Sequence, residues 1–196
     1  MNTKNTLVKN KKYEDVVVKK KKDILKVRKL HYWEYKGMKF FVDGKNILFD
    51  YSNYECEVAQ WLVETFGGDL LICPRVNYPE GIQTPDFIWN NEKWDLKTIY
   101  GTGKRTIEDC IKKKREQSHN FIFDASFYPK DINNLIIQIQ KIFNNKSTEW
   151  VDKIILKYND DVILFYEKKK KWPQPYGSRP LLMILYYIIF YFMSNN

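Results

Sequence analysis

Between residues 31 and 50 the hydrophobic positions come in short bursts: Trp33 and Tyr35, Phe40 and Val42, Leu48 and Phe49. Lys36-Gly37 and Asp43-Gly44 separate them, and short apolar runs broken by glycine-containing pairs predict β-hairpins. The period then lengthens. Val58, Trp61, Leu62 and Phe66 recur at helical spacing and predict a helix over 54–66, with Asn53 as its cap and Gly67-Gly68 as its end. Leu70–Cys73 predicts a short strand stopped by Pro74, and 75–84, with Pro79 and Gly81, reads as a loop. Two strands follow over 85–89 and 92–98, joined at Asn90-Asn91. After the Gly101-Thr102-Gly103 loop the pattern predicts a basic helix over 104–118, a strand over 121–124 and a helix over 131–144. That last helix carries Ile132, Leu135, Ile136, Ile139 and Ile142 on one side. A final hairpin over 150–157 and 161–167 turns at Asn159-Asp160. Interleaved strands and helices in this order predict an α/β (α+β) domain, a central mixed β-sheet flanked by helices.

Composition changes the picture chiefly at the two ends. Residues 1–30 hold eleven Lys/Arg against three Asp/Glu, most of the formal net charge of +9. The charge therefore lies in a basic flexible arm, able to hold phosphates loosely, and the body of the chain is no uniformly basic nucleic-acid coat. Beyond residue 170 comes a Pro-containing linker and then an unbroken apolar run, Leu181–Met193. At about 1.5 Å per residue a helix of that length falls well short of a ~30 Å hydrocarbon layer, so no stable membrane span is expected. The run reads as a non-native tail, with a short membrane-associating or partner-binding segment as the alternative. The division is thus 1–30 arm, 31–170 folded domain, 171–196 linker and tail. With 44% hydrophobic residues the domain can build a real core. Cys56, Cys73 and Cys110 have no CxxC spacing, and His31 and His119 stand alone, so disulfide frameworks, zinc sites and histidine-centred hydrolases lack support. Reduced thiols and the absence of an N-terminal apolar segment predict a cytoplasmic protein.

The chemistry concentrates in Thr84-Pro85-Asp86 and Glu92-Lys93-Trp94-Asp95-Leu96-Lys97. If Asn90-Asn91 is a two-residue turn, Trp89 faces Glu92 and Asp86 lies across from Asp95. Strand alternation then places Asp86, Ile88, Asp95 and Lys97 on one face and Phe87, Trp89, Trp94 and Leu96 on the other. Trp89 and Trp94 thereby belong to the core and are not base-stacking groups. Two carboxylates directly opposed on a sheet repel. A hard divalent cation, Mg²⁺ or Mn²⁺, resolves that conflict, lowers the pKa of a bound water and offsets charge on a phosphoryl oxygen. Lys97 can position that water or stabilise the developing phosphate charge. The bland alternative is a turn aspartate beside an exposed ion-pair stripe.

The ordered set of motifs is more specific than its acidic core. Glu57-Val-Ala-Gln-Trp-Leu62, Phe66-Gly-Gly-Asp69, Pro74, Thr84-Pro-Asp86, Glu92–Lys97, Gly103-Lys104 and Lys114–Asn120 leading to Ile122-Phe-Asp124 resemble the C-terminal tRNase toxin domains of contact-dependent growth inhibition systems. Similar domains end some Mu-type phage minor head proteins. The resemblance, over Tyr54–Asp124 and on through Trp150–Tyr166, implies a PD-(D/E)xK nuclease fold and metal-dependent hydrolysis of RNA, tRNA first, by a toxin or a phage or mobile-element effector. It also implies an immunity protein as partner, and a third acidic residue on the first helix. Glu57 fills that place in the matching stretch, with Glu55 and Glu64 competing. The catalytic and metal-binding set is therefore Asp86, Asp95 and Glu57, with Lys97 as the catalytic cation.

Lys104, Lys113, Lys114 and Gln117 are the candidate nucleic-acid contacts, beside Lys112 and Arg115, with a solvated basic face as the alternative. Thr106 reads as a supporting hydroxyl or a helix-start residue, Asp124 as structural and His119 as a surface residue. Two other functions compete: a DNA nuclease on the same fold, because fold does not select substrate, and a nucleic-acid-binding module without catalysis.

Overall fold

The computed structural model describes residues 27–168; the basic arm before Val27 and the linker and apolar run after Lys168 lie outside the described residues. A seven-stranded mixed sheet organises the chain. Its spatial order is β1 (Val27–Lys29), β5 (Leu70–Ile72), β7 (Phe87–Trp89), β8 (Glu92–Thr98), β9 (Asn120–Asp124), β10 (Lys153–Tyr158) and β11 (Asp161–Glu167). β8, β9 and β10 run parallel, and β7 and β11 pair antiparallel at either side of them. The parallel neighbours are joined through α2 (Thr106–Ile111) and α3 (Asn133–Asn144), as parallel pairs require a crossover. Both helices pack on one face, where Ile107, Ile111, Leu135 and Ile139 meet Phe121, Phe123 and Ile154. α1 (Asn53–Phe66) covers the other face, setting Val58, Leu62 and Phe66 against Leu70, Phe87, Trp89 and Trp94. The expected mixed sheet flanked by helices is present.

Local chemistry explains the elements. Ser52, one residue before the expected Asn53, caps α1 through a capping box. Its hydroxyl accepts from the Glu55 N–H at 3.1 Å, and the Glu55 carboxylate accepts from the Ser52 N–H at 2.5 Å. The β2 (Tyr32–Tyr35) and β3 (Met38–Phe41) hairpin turns at Lys36-Gly37, both at positive φ. Asp43-Gly44 does not make a second hairpin with β3. The Asp43 carboxylate accepts from the N–H groups of Lys45, Asn46 and Ile47, and β4 (Ile47–Leu48) pairs instead with β6 (Arg75–Val76) inside the span expected to be a loop. These two small sheets pack Trp33, Ile47, Cys73 and Val76 into a satellite cluster against Ile88.

Two further differences bear on the site. Val27–Lys29, at the edge of the basic arm, form a parallel edge strand on β5. The basic helix expected over 104–118 ends at Ile111, and 112–119 form turns in which the Gln117 and Ser118 N–H groups both reach the Lys114 carbonyl. Lys112 and Arg115, like charges three positions apart, would be neighbours in a continued helix and weaken it slightly. Side-chain bonds formed only outside the helix, from Ser118 to the Lys93 carbonyl (2.7 Å) and from Gln117 to the site, outweigh the helical ladder.

Candidate active site

Asn90 and Asn91 both adopt positive φ, the two-residue turn expected of them, and the register Phe87↔Trp94, Ile88↔Lys93, Trp89↔Glu92 follows. The backbone ladder stops at Phe87. One residue earlier, Asp86 continues the pairing with its side chain, its Oδ2 accepting from the Leu96 N–H at 2.5 Å. On the strand alongside, Asp95 is wholly buried. Its Oδ1 accepts from Gln117 Nε2 at 2.7 Å, and the Lys97 ammonium stands 2.5 Å from its Oδ2. That approach is an ion pair, so the group that meets the buried Asp95 Oδ2 is the Lys97 ammonium. Lys97 Nζ also donates to its neighbour's carbonyl, Leu96 O, at 2.8 Å. Asp86, Asp95 and Lys97 thus form one cluster. It lies between the satellite core at Ile88 and the α2–α3 core at Phe121 and Phe123, the residues that β9 sets beside Asp95 and Lys97.

Electrostatics separates the two aspartates. Burial, and then the Asp95 charge, push the Asp86 carboxyl up to about 7, with Lys97 and the Leu96 N–H acting in the opposite sense. Glu55 adds to the rise. Glu57, the acid expected on α1, does not join the cluster. It is exposed, and its helical neighbours at i+3 and i+7 are Gln60 and Glu64. Glu55 has Val58, Ala59 and Leu62 at i+3, i+4 and i+7, all buried, so Glu55 occupies the face of α1 turned to the sheet. Glu55 is thus the α1 acid whose charge reaches Asp86, while its carboxylate is held by the Ser52 cap.

Gln117 is the centre of the support. Its Nε2 donates both to Asp95 and to the Thr84 carbonyl (2.5 Å), and its Oε1 accepts from Lys114 Nζ at 2.7 Å. One amide thereby ties the loop entering Asp86 to the strand bearing Asp95. Lys114, half-buried, is committed to Gln117, whereas Lys104 and Lys113 are exposed. Thr106 donates to the Gly101 and Gly103 carbonyls and shapes the loop after β8. Asp124 is structural: burial pushes its carboxyl up, but hydrogen bonds from Ser126, Tyr54 and Lys157 together hold it below the usual carboxylate range. His119 is a surface residue against Trp150. Two thiols border the site unforeseen, Cys110 beside Lys97 and Asp95, and Cys73 beside Asp86. Burial pushes the Cys73 thiol up to about 12, so it is no nucleophile.

Among the described residues no three His, Cys, Asp or Glu side chains form a ready cation cage. The donor set still fits a hard cation. Asp95 Oδ2 is buried and already draws a cation, the Lys97 ammonium, to 2.5 Å, and two carboxylates completed by waters are how Mg²⁺ is commonly held.

A mixed sheet flanked by helices, presenting two carboxylates and a lysine from adjoining strands, is an α/β nuclease-like arrangement. The family described as the contact-dependent growth inhibition CdiA C-terminal domain matches residues 83–162, a span that encloses Asp86, Asp95, Lys97 and Gln117. Among solved structures, the chain resembles one described as a CdiA-CT/CdiI toxin and immunity complex from Burkholderia pseudomallei. The identity is 18% and the TM-score 0.45, over 59% of this chain and 83% of that one. No curated protein matches.

Proposed function

We propose that this chain is the nuclease end of a contact-dependent growth inhibition toxin, of the PD-(D/E)xK type, which hydrolyses phosphodiester bonds of RNA, with tRNA the favoured substrate. The observation that carries the reading is the convergence of Asp86, Asp95 and Lys97, with the buried Asp95 carboxylate holding a cation, the Lys97 ammonium, at 2.5 Å. The family match over the segment holding all three supports the toxin assignment. It carries with it entry into the cytoplasm of a target cell and an immunity protein as partner in the producing cell.

Asp86 and Asp95 would hold Mg²⁺ or Mn²⁺, which supplies an activated water and Lewis-acid stabilisation of phosphoryl charge. Asp86 must first lose its proton, since its carboxyl titrates near 7. Gln117 keeps Asp95 Oδ1 engaged and so directs Oδ2 into the site. Lys97 balances the acids and would stabilise the negative charge that develops on a non-bridging phosphate oxygen. Lys104 and Lys113, exposed beside the site, grip the phosphate backbone.

The test is incubation of purified protein with tRNA and with plasmid DNA, in Mg²⁺ or EDTA. Metal-dependent loss of tRNA that Asp95→Ala and Lys97→Ala both abolish is expected. Cleavage of plasmid alone would move the substrate to DNA. Binding without cleavage of either would leave a nucleic-acid-binding module.

A further inference from the structure

Tyr100 and Phe127 stand on the two loops that leave the ends of β8 and β9. Their rings stack with centroids 5.8 Å apart and planes at 22°. Even so, Tyr100 is 65% and Phe127 61% exposed. Mutual stacking therefore covers only part of each ring, and aromatic surface that would be worth burying is left in water. The loops beneath are firmly built. Thr106 Oγ1 donates to the Gly101 and Gly103 carbonyls (3.2 and 3.0 Å), and Gln138 Nε2 donates to Gly103 O at 3.1 Å. Lys130 Nζ reaches from the second loop to Thr102 O at 3.4 Å and joins the two. The rings are thus held ready and need little further ordering to bind a flat ligand.

Their position relates them to the acidic cluster. Tyr100 lies three residues beyond Lys97, about 10 Å of extended chain. Lys104 and Lys130 flank the pair with positive charge, while Arg105 is engaged by Glu108. Exposed aromatic faces between cations suit a nucleobase and its phosphate, and every base offers a π-face.

We propose that Tyr100 and Phe127 form a stacking platform for an unpaired base next to the scissile phosphate, so that the site takes single-stranded or looped nucleic acid in preference to duplex. Bases stacked inside a helix cannot reach such a platform. This inference rests on the nuclease reading above and names its substrate class.

Binding measured by anisotropy in EDTA, with the full chain, separates the two ideas. The probes are a labelled short oligoadenylate, an abasic strand of equal length and a blunt RNA duplex. Wild-type protein is expected to prefer the oligoadenylate. Tyr100→Ala/Phe127→Ala is expected to weaken that binding about fivefold or more. Duplex and abasic affinity should hardly move, and Tyr100→Phe should retain binding. Both rings are exposed, so their loss spares the core. Should the alanine variant melt early, Tyr100→Leu/Phe127→Leu keeps apolar bulk without an aromatic face and takes its place. Oligoadenylate affinity unchanged in the double variant, or lost in parallel with duplex affinity, overturns the platform. If wild-type protein cleaves RNA and the variant still binds oligoadenylate as tightly, only the platform falls. If wild-type protein binds none of the probes, the platform falls, and the nuclease reading stands or falls on the metal-dependent cleavage of tRNA.

Discussion

The carboxyl group of Asp86 is kept in surroundings that favour its neutral form. Asp86 titrates near 7 because burial and the Asp95 charge oppose ionisation. Between pH 4 and pH 7 the folded chain therefore binds a proton that the unfolded chain has released, and stability falls as pH rises across that window. The full effect is on the order of 4 kcal/mol at most. Asp124, held below its usual range, acts in the opposite sense and only at lower pH. Asp86→Asn keeps an oxygen for the Leu96 N–H and removes the titration. The variant should gain stability relative to wild type between pH 5 and pH 8, read from paired urea unfolding curves. A difference that stays constant across that range would show that Asp86 does not carry the strain. The residue scale was also where reading the chain succeeded most. Parity about Asn90-Asn91 placed Asp86, Asp95 and Lys97 together, because strand period and turn type are local properties. Similarity points to Glu57, which is exposed on α1, whereas the buried residues at i+3, i+4 and i+7 belong to Glu55. The side-chain links made by Gln117 were not legible, because they depend on a turn at 112–119 set by contacts distant in sequence.

At the scale of elements, the β7–β8 hairpin is only as firm as the backbone against which it closes. Gly68 has φ +97°, and a Cβ there would stand 2.2 Å from Asn90 Oδ1, the atom that accepts from the Asp69 N–H. Gly68→Ala should cost about 1–3 kcal/mol from backbone strain and from displacement of the Asn90 turn. The midpoint of chemical denaturation measures it. Asn90→Gly in that background removes the clash but leaves the strained φ, so recovery should be partial; complete recovery would assign the whole cost to the clash. Gly67-Gly68 was readable as a helix end, whereas the contact with Asn90 was not, since it joins residues brought together only by β5–β7 pairing. For the same reason β4 and β6, two residues each and paired across the chain, left no periodic signal, while the longer runs of β8, α1 and α3 did.

At the scale of the whole molecule, the sheet gathers negative charge at one place in an otherwise basic chain, and a divalent cation is the ligand that would relieve it. Anything that binds the folded state alone stabilises it by RT ln(1 + [L]/Kd). Binding between Asp86 and Asp95 must displace the Asp86 proton, so the apparent affinity should rise with pH until about 7 is passed. Mg²⁺ or Mn²⁺ should therefore raise the thermal midpoint more at pH 8 than at pH 6. Asp95→Asn should lose that increment, whereas Tyr100→Ala, outside the acidic cluster, should keep it. Ions condensed loosely on surface carboxylates would behave differently. Their effect would survive Asp95→Asn, would be as large at pH 6, and would weaken with added monovalent salt, because exposed charges are screened and buried ones much less so. The pH dependence and the Asp95 dependence must therefore appear together. Either one alone would place the cation somewhere other than the strand pair from which the enzymatic reading derives.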